Sequence, residues 1–151
     1  MRESRLHIVD VIRLLGIRDT PLSVDEVMAA VADHAAGGTT LFVGTVRQQD
    51  HGRPVTRLSY EAHPSAEAEL RRVAEKVAAE FPVTAIAAVH RVGDLDLGDI
   101  AVIVAVAAPH RAEAFQASRR LIDDLKAEVP IWKHQVFADG STEWVGVAEA
   151  S

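Results

Sequence analysis

Hydrophobic positions change period along the chain, and each change marks an element. Leu6 to Ile12 is apolar and β-branched, which predicts a first strand. Ser23 and Glu26 stand at capping-box spacing, and Val24, Val27, Met28 and Val31 then recur as the buried face of a helix that Gly37-Gly38 stops. Thr39 to Val46 reads as a strand, with Gly44 marking a bulge or a close backbone approach. Arg47 to Pro54 is polar and carries Gly and Pro, hence a loop with freedom to move. In the next strand, Val55 to Ala62, Val55, Arg57, Ser59 and Glu61 share one face, and Thr56, Leu58, Tyr60 and Ala62 the other.

Pro64 opens a long helix with Leu70, Val73, Ala74, Val77 and Phe81 at helical spacing, while Glu67, Glu69, Arg71, Arg72, Glu75 and Lys76 solvate the remainder. Val83 to Val92 and Ile100 to Ala108 are two further strands, joined by a turn over residues 93–99. The run IAVIVAVAA barely alternates, which places it mid-sheet with both faces covered. Pro109 opens another helix with Phe115, Ser118, Ile122, Leu125 and Val129 on its buried stripe, and Pro130 ends it. Ile131 to Phe137 is the last main strand; Asp139-Gly140 turns the chain into a short segment from Glu143 to Val147. The expected fold is one α+β domain over residues 1–151, an antiparallel or mixed sheet with two long helices packed against it. Its connections are too short for a doubly wound fold.

Composition narrows the function. Hydrophobic residues make up 48% and charged residues 25%, ordinary globular values that let 151 residues form a core without staples. The absence of cysteine removes thiol nucleophiles, thiolate metal sites and disulfides, and suits a reducing cytoplasm. No apolar segment follows the charged Met1 to Arg5 as in a secretory signal, and Ile100 to Ala108 is too short to span a bilayer, so no membrane is expected. A net charge of −6 argues against nucleic acid and makes any cluster of cations a local feature that needs a cause.

Three places carry candidate chemistry. Pro109-His110-Arg111 begins a helix, where free backbone N–H groups and the dipole favour an anion; two basic side chains there oppose the dipole unless an anion is bound. Taken alone, His110-Arg111 is better explained by solvation or by pairing with Glu113. Lys126 is either an ordinary cation of the last helical turn or, with Lys133 beyond Pro130, half of a reactive pair; crowding and burial lower a lysine pKa enough for nucleophilic or acid–base use. Lys133 reads equally as an edge-strand gatekeeper. Arg47 and Arg53 flank the polar loop, and arginine suits phosphate or carboxylate. The remaining histidines lack HExxH or paired spacing, Asp94, Asp96 and Asp99 do not frame an EF-hand, and no P-loop, GxGxxG or GxSxG is present. No metal and no cofactor are expected.

Five stretches, in order, resemble the large (catalytic) subunit of molybdopterin synthase: FVGTVR (Phe42 to Arg47), LSYEA (Leu58 to Ala62), HRVGDLDLGD (His90 to Asp99), PHRAEAF (Pro109 to Phe115) and LIDDLKAEVPIWK (Leu121 to Lys133). The resemblance implies an α/β-hammerhead-like fold and a homodimer within a heterotetramer. Each large subunit would bind a small ubiquitin-like sulfur carrier whose Gly-Gly tail ends in a thiocarboxylate. Sulfur would pass in two rounds to cyclic pyranopterin monophosphate, forming the dithiolene of molybdopterin in the cytoplasm. It also implies catalytic roles for Lys126 and Lys133, an anion pocket of Arg47, His110 and Arg111, and a pocket-lining Phe42. Asp50, where asparagine is common in the family, and His63-Pro64-Ser65-Ala66 depart from the pattern, and both bear more on partner affinity than on the reaction.

Two other readings use the same residues. One is a non-catalytic paralogue that only docks a ubiquitin-like carrier; retention of both lysines and of the PHR tripeptide argues against it. The other is a different enzyme acting on a phosphate ester or acyl group, which binding of a pterin phosphate would separate from the synthase.

Overall fold

A computed structural model describes residue 8 and residues 10–146. The chain runs β1 (Ile12–Arg18), α1 (Val24–Val31), β2 (Gly38–Thr45), β3 (Gln49–Asp50), β4 (Arg53–Ala62), α2 (Ala66–Glu80), β5 (Ala85–Arg91), β6 (Gly93–Leu95), β7 (Ile100–Ala108), α3 (Arg111–Glu128), β8 (Ile131–Phe137) and β9 (Thr142–Val145). One sheet has the order β1-β5-β7-β2, with β1 parallel to β5 and the other pairs antiparallel. The second has the order β3-β4-β8-β9, with β6 also on β4. The mixed α+β architecture expected from the pattern is what the chain adopts.

The first sheet is covered on both faces, which explains the unbroken apolar run in β7. Alternate residues Val102, Val104 and Val106 meet Leu70, Val73 and Val77 of α2 and Leu121 and Leu125 of α3. Ile103, Ala105 and Ala107 point the other way, onto Val27 and Val31 of α1. Ser23 caps α1 as its spacing predicts, its Oγ accepting from the Glu26 N–H at 3.1 Å. Among the described residues, no helix is long and apolar enough to cross a membrane.

Several expectations need correction. The first strand lies at Ile12–Arg18, and Ile8, Asp10 and Val11 are helical; the rest of the expected segment, residues 6, 7 and 9, lies outside the described residues. Pairing decides this, since the segment from Ile12 to Arg18 matches β5 from Ile86 to Arg91, while Val11 is buried in the main core. Residues 93–99 are not all turn, because Gly93–Leu95 pairs with Leu58 to Tyr60. Strict alternation in β4 fails at Thr56, an extra residue between the Val55–Phe137 and Arg57–Val136 pairs. That bulge lets Val55 and Leu58 both be buried. Phe115 was expected inside but is 65% exposed, since Ala114, Ala117, Ser118, Leu121 and Leu125 form the buried stripe of α3. Met28, expected on the buried face of α1, is likewise exposed. The segment placed at Glu143 to Val147 is β9, Thr142–Val145; residue 147 lies outside the described residues.

Candidate active site

Three chain reversals build the site where the C-terminal end of α3 meets the second sheet. Val46 continues from β2, its N–H bonded to the Asp99 carbonyl at 2.9 Å, and sets Arg47 at the rim. Pro130 breaks α3, so Lys126 on the last helical turn and Lys133 on β8 face each other across a sharp bend. The Arg47–Pro54 segment, read as a loop, contains a small hairpin: β3 pairs with Arg53 and Pro54 through His51 and Gly52, whose φ values of 52° and 75° fit a type I′ turn. That hairpin inserts Asp50. The result is a cavity of about 360 Å³ lined by Arg47, Asp50, Tyr60, Lys126, Lys133 and Gln135, among others. A smaller cavity of about 80 Å³ adjoins it, bounded by Gly44, Tyr60, His90 and both lysines.

Charge in this cavity is arranged around Asp50, which is 7% exposed. Its Oδ1 accepts from Arg47 Nη2 at 3.0 Å, and its Oδ2 accepts from Gln135 Nε2 at 2.6 Å and lies 4.0 Å from Lys133 Nζ. Burial pushes this carboxyl up, but the Gln135 hydrogen bond, the Lys133 charge, the Arg47 hydrogen bond and the His51 charge together hold it below the usual carboxylate range. Lys126 has no carboxylate partner among the described residues. Burial, then the charges of Lys133 and Arg47, lowers its pKa. Lys126 still opens to solvent at the cavity mouth, so it remains accessible to a ligand.

Behind the lysines, Tyr60 and His90 meet edge to face at 4.9 Å between ring centroids. Burial, with the Asp50 charge second, pushes the Tyr60 hydroxyl up to about 12, so it stays a hydrogen-bond donor at neutral pH. His90 Nδ1 lies 2.8 Å from the Arg91 carbonyl, which can only accept; the proton therefore sits on Nδ1 and Nε2 keeps a lone pair. Burial lowers His90 to about 4, against the Arg91 hydrogen bond and with the Lys126 charge adding to it, so the ring is neutral.

Arg47, Lys126 and Lys133 thus line one cavity. Phe42 lies on β2, paired with Val104 and 38% exposed. Its ring rests over Gly44, which bounds the smaller cavity, so it stands beside the site. His110 and Arg111 do not reach the cavity in this chain. They start α3 beside Gly38, and about 22 Å of helix separates Arg111 from Lys126, 15 residues on. Both are exposed, and among the described residues neither pairs with Glu113. Reasoning from sequence missed Asp50, Tyr60, His90 and Gln135 as site residues. Tyr60 and His90 sat inside quoted motifs. Gln135 had only a faint signal, an uncharged polar residue two positions from Lys133 on the same strand face.

Comparison with known proteins agrees with this architecture. Residues 17–128 match the family model described as MoaE protein. The chain is 47% identical over 131 residues to molybdopterin synthase catalytic subunit 1 of Mycobacterium tuberculosis, covering 86% of this chain and 88% of that one. It is 42% identical over 129 residues to the molybdopterin synthase catalytic subunit of Homo sapiens, covering 85% and 68%. The crystal structure of molybdopterin synthase from Staphylococcus aureus superposes with a TM-score of 0.80 at 34% identity, covering 86% of this chain and 95% of that one. On a family model that spans most of its length and relatives this similar, the chain belongs to the MoaE family, whose members include these molybdopterin synthase catalytic subunits.

Proposed function

We propose that this chain is a sulfurtransferase, the catalytic subunit of a molybdopterin synthase. It takes sulfur from the C-terminal thiocarboxylate of a small ubiquitin-like carrier and transfers it to cyclic pyranopterin monophosphate. The observation that carries the reading is the convergence of Lys126, Lys133 and Arg47 on one cavity in a chain of net charge −6. A cyclic phosphate and a thiocarboxylate are both anions, and bringing them together requires concentrated positive charge. Arg47 and Lys133 hold and orient the anions. Lys126, with its lowered pKa and no carboxylate partner among the described residues, moves protons as sulfur attacks and the phosphate ring opens.

The separation of His110 and Arg111 from this cavity supports a composite site in a homodimer. β2 is the outer strand of its sheet, and Leu41 and Phe42 on it are 40% and 38% exposed. Antiparallel pairing of β2 with its two-fold copy would set the Gly38 end, with Arg111, beside the Thr45 end of the other copy, with Arg47.

The test is molybdopterin formation from thiocarboxylated carrier and the cyclic substrate. Lys126→Ala and Lys133→Ala should each abolish most turnover; near-normal turnover in both would overturn the assignment. Loss of product with carrier binding intact in the unaltered chain would instead favour a docking protein. Mixing Lys126→Ala with Arg111→Ala subunits tests the shared site. Random reassortment leaves half the dimers with one intact site, about a quarter of full activity. Residues acting within one protomer would give no recovery.

A further inference from the structure

The cavity argued to hold anions already contains one. Asp50 presents a buried carboxylate to Arg47 and Gln135 at hydrogen-bond distance and to Lys133 at 4.0 Å. It sits on a hairpin whose ladder is two residues long and whose partner Pro54 has no N–H to give. Beyond that ladder the Val55 N–H bonds the Gln48 carbonyl and the Ala138 N–H bonds the Pro54 carbonyl, both at 2.9 Å, and side chains supply the remaining ties to the body. On its outer edge, Arg53 lies over the Phe137 ring at 3.8 Å and pairs with Asp139 at 3.5 Å. On its inner edge, Asp50 is bonded to Gln135 of β8. Arg47 is different: its side chain is 75% exposed, and Asp50 is its one ion-pair partner among the described residues. The Asp50–Gln135 contact is thus a buried tether, and the Asp50–Arg47 contact is a solvent-facing one that an incoming ligand can reach.

We infer that Asp50 is a resident counter-anion and positioning residue: it holds Arg47 and Lys133 at the cavity and is exchanged for substrate phosphate at Arg47. This rests on the anion-binding reading of the site given above. Two consequences follow from the charge. The carboxylate opposes any second anion within a few ångströms, so a small anion that engages Arg47 alone is held weakly. A larger ligand with further contacts outcompetes it, which makes Asp50 a determinant of specificity by charge. Replacing the carboxylate with an amide keeps the shape and an acceptor for Gln135 but removes the repulsion. At an effective dielectric near 20 and a separation of roughly 6 Å, that repulsion is about a hundredfold in affinity per unit charge, which ionic screening at the exposed Arg47 reduces to about tenfold.

The probe is inorganic phosphate, titrated by calorimetry at fixed ionic strength into the full chain, Asp50→Asn and Arg47→Ala, with thermal unfolding run on each. The inference expects Asp50→Asn to bind phosphate about tenfold more tightly and Arg47→Ala to bind it less. In the synthase assay, Asp50→Asn should lower KM for the cyclic phosphate while kcat falls, because Lys133 and Arg47 lose the group that aims them. Unchanged or weaker phosphate binding by folded Asp50→Asn, with Arg47→Ala still impaired, overturns the role of Asp50 and leaves the anion pocket standing. No phosphate binding by any of the three overturns both. Should Asp50→Asn not fold, the carboxyl of Asp50 can be followed by carbon NMR in the unaltered chain. Its titration midpoint should rise when phosphate saturates the site, as Arg47 turns away; a midpoint that does not move refutes the exchange.

Discussion

Lowering the pH from 7 to 5 should destabilise this fold by about 2 kcal/mol through one side chain, His90. The ring is 7% exposed, and its burial holds its pKa at about 4, against 6.5 for an unconstrained histidine. Between those values the unfolded chain binds a proton that the folded chain refuses, so stability rises with pH across the window and falls on acidification. At about 1.36 kcal/mol per pH unit the full effect is about 3.4 kcal/mol, of which somewhat over half has developed by pH 5. Depressed carboxylates such as Asp50 act in the same direction but at lower pH. Their stabilisation is present above the unfolded carboxyl pKa near 3.8 and is lost as pH falls through the still lower folded value. Urea unfolding followed by circular dichroism at pH 7, 6 and 5 therefore isolates His90. His90→Gln should be less stable than the parent at pH 7 but nearly flat over the window. A parent whose stability changes by less than about 0.5 kcal/mol, or a variant with the same slope, would refute the buried neutral ring.

Two further outcomes bear on the site and its support. Activity that requires neutral Lys126 should rise with pH through a midpoint below the ordinary lysine value, and Lys133→Met should move that midpoint upward by removing the neighbouring charge; a downward or absent move, read from the pH profile of residual kcat/KM, would contradict the coupling. Gly44→Ala places a Cβ at 2.7 Å from Val102 Cγ1 and 3.3 Å from the Phe42 ring. It should cost about 1–3 kcal/mol in urea unfolding and displace Phe42.

How much of this was legible in the sequence depended on whether the deciding contacts were local. The helices α2 and α3 were readable because amphipathic spacing and the prolines at 64, 109 and 130 mark them without reference to anything distant. The depth of β7 was readable for a related reason: a strand covered on both faces cannot alternate. Register was not. Residues 6–12 and 12–18 offer comparable apolar content, and only the parallel ladder with β5 chooses between them. β6 was hidden because Asp94 is typical of a turn, and what makes Gly93–Leu95 a strand is β4, more than 30 residues earlier.

The same distinction separates the visible from the invisible parts of the site. Lys126, Lys133 and Arg47 drew notice because cations near a helix break or a loop rim are locally odd in an acidic chain. Asp50 drew none as chemistry, since an acidic residue in a polar loop is the commonest arrangement there is. Its meaning comes from Gln135, 85 residues away, and from the bend at Pro130 that brings Lys133 to the same spot. Once folded, the roles of the two lysines differ for a reason no local spacing could express. Lys133 stands beside a carboxylate held by the hairpin, whereas Lys126 stands among cations and packed side chains. Assigning proton transfer to Lys126 and anion positioning to Lys133 is therefore a statement about Asp50, and exchanging the carboxylate for an amide is the change that should blur the distinction.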